Sequence, residues 1–395
     1  MKHGLGALVA AAICLGAPSG TFAATDHTII VVLDGIRASE GFDDPAHAHV
    51  PRMWNDLRPL GTWIPEFRND GWTITNPGHA SVLTGTWQYL ANDGTQRPTS
   101  PTLFEFFRAA TGLPASSAWV VTGKSKLDIC SHSIDPAYGA PYGASIDCVN
   151  RTDPNTYAAF TGRLAADHPR VSLFHLADID IKAHQSNWNG YLRAIEIADS
   201  LVYELWMAVE SDPVLSGKTA MFVTCDHGRH DDAHGGFSNH GDTCLGCRRI
   251  PFLALGPDVA AGGEGTLVRT QRDIAPTIGA LLGFPTPGVE GAVMEELWAP
   301  TAGVPVPATA AAVRVLPNPS SGPTRFDLPA SAGRDTVRLR IWDLAGRLVY
   351  EERTAARAIS WSGSDGHGRA AAAGAYYWEV SGAGIQEKGQ LLIVK

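Results

Sequence analysis

Five apolar runs constrain this chain more than any other feature: TIIVVLDG (28–35), AWVVTGK (118–124), VSLFHLAD (171–178), AMFVTCDHG (220–228) and PFLALGP (251–257). None alternates with polar residues, so each asks to be buried on both faces, and each stops at Gly, Pro or a charged group. Strands of this kind suit a parallel sheet covered by helices on both sides. Helical patterns lie between them. Thr102-Leu-Phe-Glu105 has the form of a capping box opening a helix. From Tyr191 to Glu210, the spacing puts Leu192, Ile195, Ala198, Leu201, Val202, Leu205 and Val209 on one helical face. Alternating strand and helix predicts an α/β fold with a mostly parallel sheet.

The texture changes near residue 300. APTAGVPVPATAAA (299–312) is rich in Pro and Ala, carries no charge, and reads as a linker. Beyond it VRLRIWDLAGRLVYEE, AISWSG and AYYWEVSG alternate apolar with polar residues between Gly-rich turns. That pattern predicts a small antiparallel β-sandwich over 313–395. At the other end, Lys2 and His3 precede an apolar run from Leu5 to Leu15, with small residues leading to Ala23 and Ala24. This is the form of an export signal over 1–24, and the run is too short to span a bilayer. The catalytic candidate is then 25–298, in a protein expected in the periplasm, at the cell surface or outside the cell. A net charge of -9 with no basic block argues against nucleic acid as a partner. In an oxidising compartment Cys130–Cys148 and Cys244–Cys247 are the expected disulfides, leaving Cys225 free. The alternative for Cys244-Leu-Gly-Cys247, a zinc site, lacks a second such pair.

In open α/β sheets ligands collect beyond the carboxyl ends of the strands. Asp34, Asp180 with His184, and Asp226 with His227 all fall just past apolar runs, at one sheet edge if the strands are parallel. Asp and His are ligand types that Zn²⁺ accepts. Asp180 and His184 are spaced to share one side of a helical turn. Three further imidazoles, His230, His234 and His240, compete for a remaining place. Thr75-Asn-Pro-Gly-His79 puts Pro77 in the first turn of a helix and Thr75 at the positive end of its dipole. A hydroxyl there becomes a competent nucleophile when a base or metal lowers its pKa.

LDG (33–35), T-x-P-x-H…TG (75–85), D-x-x-x-H (180–184), DHG (226–228), HG (240–241) and DIAPTIGALLG (273–283) occur in an order and spacing that resemble the alkaline phosphatase superfamily. The branch resembled is that of the nucleotide pyrophosphatases/phosphodiesterases and threonine-nucleophile alkaline phosphatases. The resemblance implies two zinc ions and a Thr75 nucleophile that forms a phospho-threonine intermediate. One zinc would take Asp34, Thr75, Asp226 and His227, the other Asp180, His184 and His240, the last chosen because HG is followed by RRIPFLALGP. It also implies that Asn92 and Lys126 bind phosphoryl oxygens, with Asp128 standing where the family's monoesterases keep an Arg. Thr75 and His79 depart from the C/S-x-P-x-R pattern of sulfatases. The tail, through VLPNPSSG, IWDLAGRLVY and LLIVK, resembles the immunoglobulin-like domain of flagellar hook capping proteins and bacterial sorting modules, which implies surface or secretion-system contact. The expected activity is hydrolysis of small-molecule phosphate esters, with mono- and diesters both open. The rival readings are the same fold acting on sulfate, phosphonate or lipid head-group esters, and a non-catalytic surface binding protein.

Overall fold

The computed structural model describes residues 24–298, 313–316, 320, 322–328, 336–343, 347–356, 358–366, 368–382 and 385–393. The expected export signal up to residue 23, the expected linker at 299–312 and parts of the tail motifs lie outside the described residues. The chain divides into two compact units, Met1–Thr301 and Ala302–Lys395.

The first unit is built on an eight-stranded sheet. Its strands are β1 (His27–Leu33), β2 (Gly61–Trp63), β4 (Ala118–Thr122), β5 (Ser145–Cys148), β6 (Val171–Leu176), β7 (Thr219–Thr224), β8 (Leu253–Leu255) and β9 (Gly263–Glu264). A separate parallel pair joins β3 (Phe67–Arg68) to β10 (Arg269–Thr270). The order across the large sheet is β5-β4-β6-β1-β7-β8-β2-β9, and the first five of these run parallel. Every residue of β1, β6 and β7 is buried, as an unalternating apolar run demands. Helices α1 (Thr75–Thr84), α2 (Leu103–Thr111), α3 (Asp153–Asp167), α4 (Asp178–His184), α5 (Trp188–Ser211), α6 (Leu245–Arg248) and α7 (Ile274–Leu282) connect the strands. The Thr102–Glu105 capping box forms at the start of α2, and on α5 Ile195, Ala198, Leu201, Val202, Leu205 and Val209 are buried.

One strand departs from expectation. The run at 251–257 yields only β8, which pairs antiparallel with β7. A parallel return needs a crossover that carries the chain back to the starting edge, commonly a helix. Here the chain leaving β7 forms only the three-residue turn Asp232–His234 and the four-residue α6 before it re-enters the sheet antiparallel as β8.

The second unit holds two antiparallel sheets. One joins β11 (Arg314–Leu316), β12 (Thr324–Asp327) and β15 (Ala358–Trp361). The other is ordered β14 (Leu348–Thr354), β13 (Val337–Asp343), β16 (Gly374–Gly382) and β17 (Ile385–Ile393). Along β13, buried Val337, Leu339 and Ile341 alternate with half-exposed Arg338 and Arg340, the period-two signature of a sheet with one wet face. Phe326, Trp361 and Val380 are among the other buried residues that make up the core of this unit.

Candidate active site

The parallel strands bring their carboxyl ends to one edge, and side chains separated by nearly 200 residues meet there. Asp34 directly follows β1 and is fully buried. Its Oδ2 accepts from Lys124 Nζ at 2.7 Å and from His175 Nε2 at 2.7 Å, while Oδ1 is buried without a hydrogen-bond partner. Beyond β7, Asp226 Oδ1 accepts from the amides of Gly35 and His227, and its Oδ2 is likewise buried and unpartnered. His227 donates from Nδ1 to the Gly228 carbonyl at 2.9 Å, which turns the Nε2 lone pair inward. That nitrogen is 3.7 Å from Asp34 Oδ1, 3.4 Å from Asp226 Oδ2 and 3.4 Å from Thr75 Oγ1.

Thr75 is the first residue of α1, which Ile74 caps from extended backbone. Close packing holds this helix end in place: a Cβ on Gly78 would come within 2.3 Å of the Asp226 carbonyl oxygen, so only Gly lets α1 lie against that strand end. Gly35, at φ +73°, similarly leaves room for Arg229 and Asp180.

Beside this cluster stands a second one, placed by α4. Asp153 Oδ1 accepts the amides of Ala177 and Asp178, anchoring the start of that helix. Asp180 and His184 follow, 3.2 Å apart, and His184 Nε2 lies 3.0 Å from His240 Nε2. His240 donates from Nδ1 to the Thr73 carbonyl, stacks on His227 at 3.8 Å, and is pushed down to about 3 by burial and the neighbouring His227, so it is a neutral imidazole. Arg229, wholly buried, holds the loop that carries His240: it pairs with Asp180 and donates to the carbonyls of Phe237 and Ser238.

Lys124 lies between the two clusters, with Nζ 2.7 Å from Asp34 and 2.6 Å from Asp180. Burial alone would lower its pKa, but Asp34, Asp180 and Asp226 outweigh it and hold the ammonium above its usual range. Lys126 is the residue that the resemblance implies; Lys124, which sits just past β4 as Asp34 does past β1, is the one that reaches both clusters. Strand-end position was the signal that could have found it. Lys126 instead reaches Asn92, its Nζ 3.0 Å from Asn92 Oδ1, and the same oxygen accepts the Asn76 amide next to Thr75. Burial and the nearby Lys124 lower the Lys126 pKa. Asp128 faces Arg97 at 3.5 Å.

The donor set suits cations. Three buried carboxylates, Asp34, Asp180 and Asp226, face two cationic side chains, Lys124 and Arg229. The unpartnered oxygens of Asp34 and Asp226 add to that excess of negative charge, which is costly to bury uncompensated. Asp34, Asp226 and His227 offer ligand atoms within 4.8 Å of one another, as do Asp180, His227 and His240. His184 joins this second group through its 3.0 Å approach to His240.

The expected disulfides are absent: Cys130, Cys148, Cys225, Cys244 and Cys247 are free thiols. Cys148 donates to the Val120 carbonyl, and Cys247 shares hydrogen-bonding groups with Cys244 and Asp242. Among the described residues no helix is long and apolar enough to cross a membrane.

Residues 141–286 match the family model described as the Metalloenzyme superfamily. A 2,3-bisphosphoglycerate-independent phosphoglycerate mutase of Legionella pneumophila is 30% identical over 133 residues, 32% of this chain and 23% of the mutase. The chain therefore spans about a quarter of the length of the curated relatives it matches. Among solved structures, a putative sulfatase from Bacteroides thetaiotaomicron is similar with a TM-score of 0.54 at 12% identity, over 68% of this chain and 74% of that one. Murine ectonucleotide pyrophosphatase/phosphodiesterase 5 is similar with a TM-score of 0.51 at 13% identity, over 69% of this chain and 100% of that one. At such identities the likeness is one of fold. The larger unit thus has the alkaline phosphatase-like fold, and residues 141–286 within it are similar to the Metalloenzyme superfamily.

Proposed function

We propose that this protein is an exported, metal-dependent hydrolase of phosphate esters in which Thr75 is the nucleophile. The observation that carries the reading is the placement of the Thr75 hydroxyl at the start of α1, 3.4 Å from His227 Nε2 and facing the cluster of Asp34 and Asp226. Two zinc ions, one with Asp34, Thr75, Asp226 and His227 and one with Asp180, His184 and His240, would supply Lewis acidity for the hydroxyl and for the oxygens of the ester. Thr75 Oγ1 attacks phosphorus as its proton leaves to solvent, the P–O bond to the leaving group breaks, and the released alkoxide takes a proton from solvent to become the alcohol. Water then cleaves the threonyl phosphate and restores the hydroxyl. Asn92 and Lys126, adjacent to the first turn of α1, bind phosphoryl oxygens. Lys124 and Arg229 hold the carboxylates of Asp34 and Asp180 in place.

The mutase relative supports phosphoryl as the group handled, and a structure of murine ectonucleotide pyrophosphatase/phosphodiesterase 5 as an inactive threonine-to-alanine form in complex with AMP supports a threonine in that role. The sulfatase likeness favours a second reading, sulfate esters. Comparing kcat/KM on an aryl phosphate, a bis-aryl phosphate and an aryl sulfate separates them. Best turnover of the sulfate overturns the phosphate assignment. Best turnover of the monoester, with the preference lost in Lys126→Ala, sustains a phosphatase; best turnover of the diester sustains a phosphodiesterase. Full activity after chelation, with less than one transition metal per chain, overturns the metal requirement.

A further inference from the structure

The stretch HGRHDDAHGGFSNHGDTCLGC, 227–247, holds more metal-ligating side chains than the proposed reaction uses. His227 and His240 face the reaction centre, and the remaining groups gather apart from it. His230, Asp242 and Cys247 bring ligand atoms within 4.8 Å of one another. His230 Nε2 is buried, lacks a hydrogen-bond partner and points at Asp242 Oδ2 from 3.4 Å. The Asp242 carboxylate is also within hydrogen-bonding reach of both thiols, Cys244 and Cys247, and those thiols reach one another. Cys247 is fully buried and Cys244 nearly so. Cys247, His230 and Asp242 therefore converge, and Cys244 stands at their edge, its thiol reaching Asp242 and Cys247 while its sulfur also falls in a second such group with Asp231 and His234.

We propose that Cys244, Cys247, His230 and Asp242 form a structural zinc site separate from the reaction centre. Two sulfurs, one nitrogen and one oxygen match the four-coordinate preference of Zn²⁺, and sulfur ligands select it over Mg²⁺ or Ca²⁺. Binding replaces the two thiol protons with the cation, the protons leaving to water, and no oxidant is needed. A buried C-x-x-C pair that is not a disulfide is thereby explained. So is the unpartnered His230 nitrogen.

The site clips a loop. Gly228 donates its amide to the Cys247 carbonyl and His230 donates its amide to the Asn239 carbonyl, so the chain from β7 through α6 closes on itself around the cluster. A Cβ on Gly246 would lie 2.5 Å from the Arg229 carbonyl oxygen, so the two arms of the loop touch. This loop carries His227, Arg229 and His240, while among the described residues it contains only the three-residue turn Asp232–His234 and α6 as regular structure. A tetrahedral zinc supplies the rigidity that so little regular structure leaves out. The proposal does not depend on Thr75 being a nucleophile or on which ester is cleaved.

The test is made on the full chain, purified without chelator. Zinc content is measured for the wild type and for the Cys244→Ser/Cys247→Ser double variant, and cobalt-substituted protein is examined for sulfur-to-cobalt charge transfer in the near ultraviolet. The reaction centre offers no sulfur ligand, so that band reports on this site alone. The expected result is one zinc fewer in the double variant and loss of the band, with His230→Ala and Asp242→Asn weakening it. To cover a variant that fails to fold, a mercurial is titrated into folded wild type and the modified cysteines are mapped, and one zinc should be released as Cys244 and Cys247 are modified. Equal zinc in wild type and double variant with no charge-transfer band overturns the proposal. So does a peptide map that finds Cys244 and Cys247 disulfide-linked, and so does mercurial modification of Cys244 and Cys247 that releases no zinc. Loss of the band in His234→Ala but not in Asp242→Asn would overturn the assignment of Asp242.

Discussion

Both units bury carboxylates beside cations, but with opposite outcomes. In the smaller unit Glu379 on β16 lies directly across from Arg340 on β13 and from Lys388 on β17, and both cations pair with it. Neighbouring strands of an antiparallel sheet deliver opposite charges to one face, so the pair is satisfied locally. In the larger unit Asp34, Asp180 and Asp226 come from three strand ends and, besides imidazoles, face Lys124 and Arg229, with two carboxylate oxygens left without a hydrogen-bond partner. A ladder pairs what lies opposite. A parallel edge gathers what ends there, and a surplus of one charge sign at such an edge is the setting in which perturbed groups and bound ions serve chemistry.

The comparison is easiest to break at Thr75. Thr75→Ala should lower kcat by about 10³-fold or more while zinc content is kept, since the remaining ligands stay in place. A rate within about tenfold of wild type in steady-state assays would show that the hydroxyl is not the nucleophile. Next comes the charge contrast itself. Lys124→Met should reduce kcat/KM by about 10²-fold, because Asp34 and Asp180 lose the ammonium between them. Arg340→Met in the smaller unit should leave kcat/KM within about twofold, as it only breaks a pair on a ladder. Equal losses would mean that the two buried charge groups do not differ in role.

Within the loop, His240→Ala should cost about 10²-fold in kcat/KM. His234→Ala should cost less than about threefold, because His234 is exposed and bound to Asp231. Equal, mild effects would remove His240 from the reaction centre. The smallest effect is expected from ending the chain near Pro305: kcat should stay within about twofold, the compact unit Met1–Thr301 being retained. Loss of soluble enzyme on truncation would make the two units one folding entity.

How much of this was legible depended on whether a residue's role is local. Unalternating apolar runs announce strands buried on both faces, and a residue at the end of such a run inherits the sheet edge; Asp34, Asp180, Asp226 and His227 were found that way. Lys124 follows the same rule but was passed over for Lys126, two residues along a 3-10 turn, and only the backbone path after β4 shows which ammonium reaches Asp34. The direction of β8 was equally hidden, because an apolar run of three residues looks the same in either orientation. The two cysteine pairs looked like disulfides because spacing records proximity along the chain and says nothing of which polar groups a thiol meets.

By itself, the sequence determined the class of fold, the change to an alternating pattern beyond residue 312, and the kinds of ligand atom available at the sheet edge. These follow from burial and periodicity, which act over a few residues at a time. The tertiary structure alone decided that Lys124 lies between Asp34 and Asp180, that His240 stacks on His227, and that Cys247 faces His230 and Asp242 while Cys244 faces Asp231 and His234. Each of those depends on side chains brought together by strand order and loop closure, and electrostatic interaction falls off with distance in space, which separation along the chain does not report.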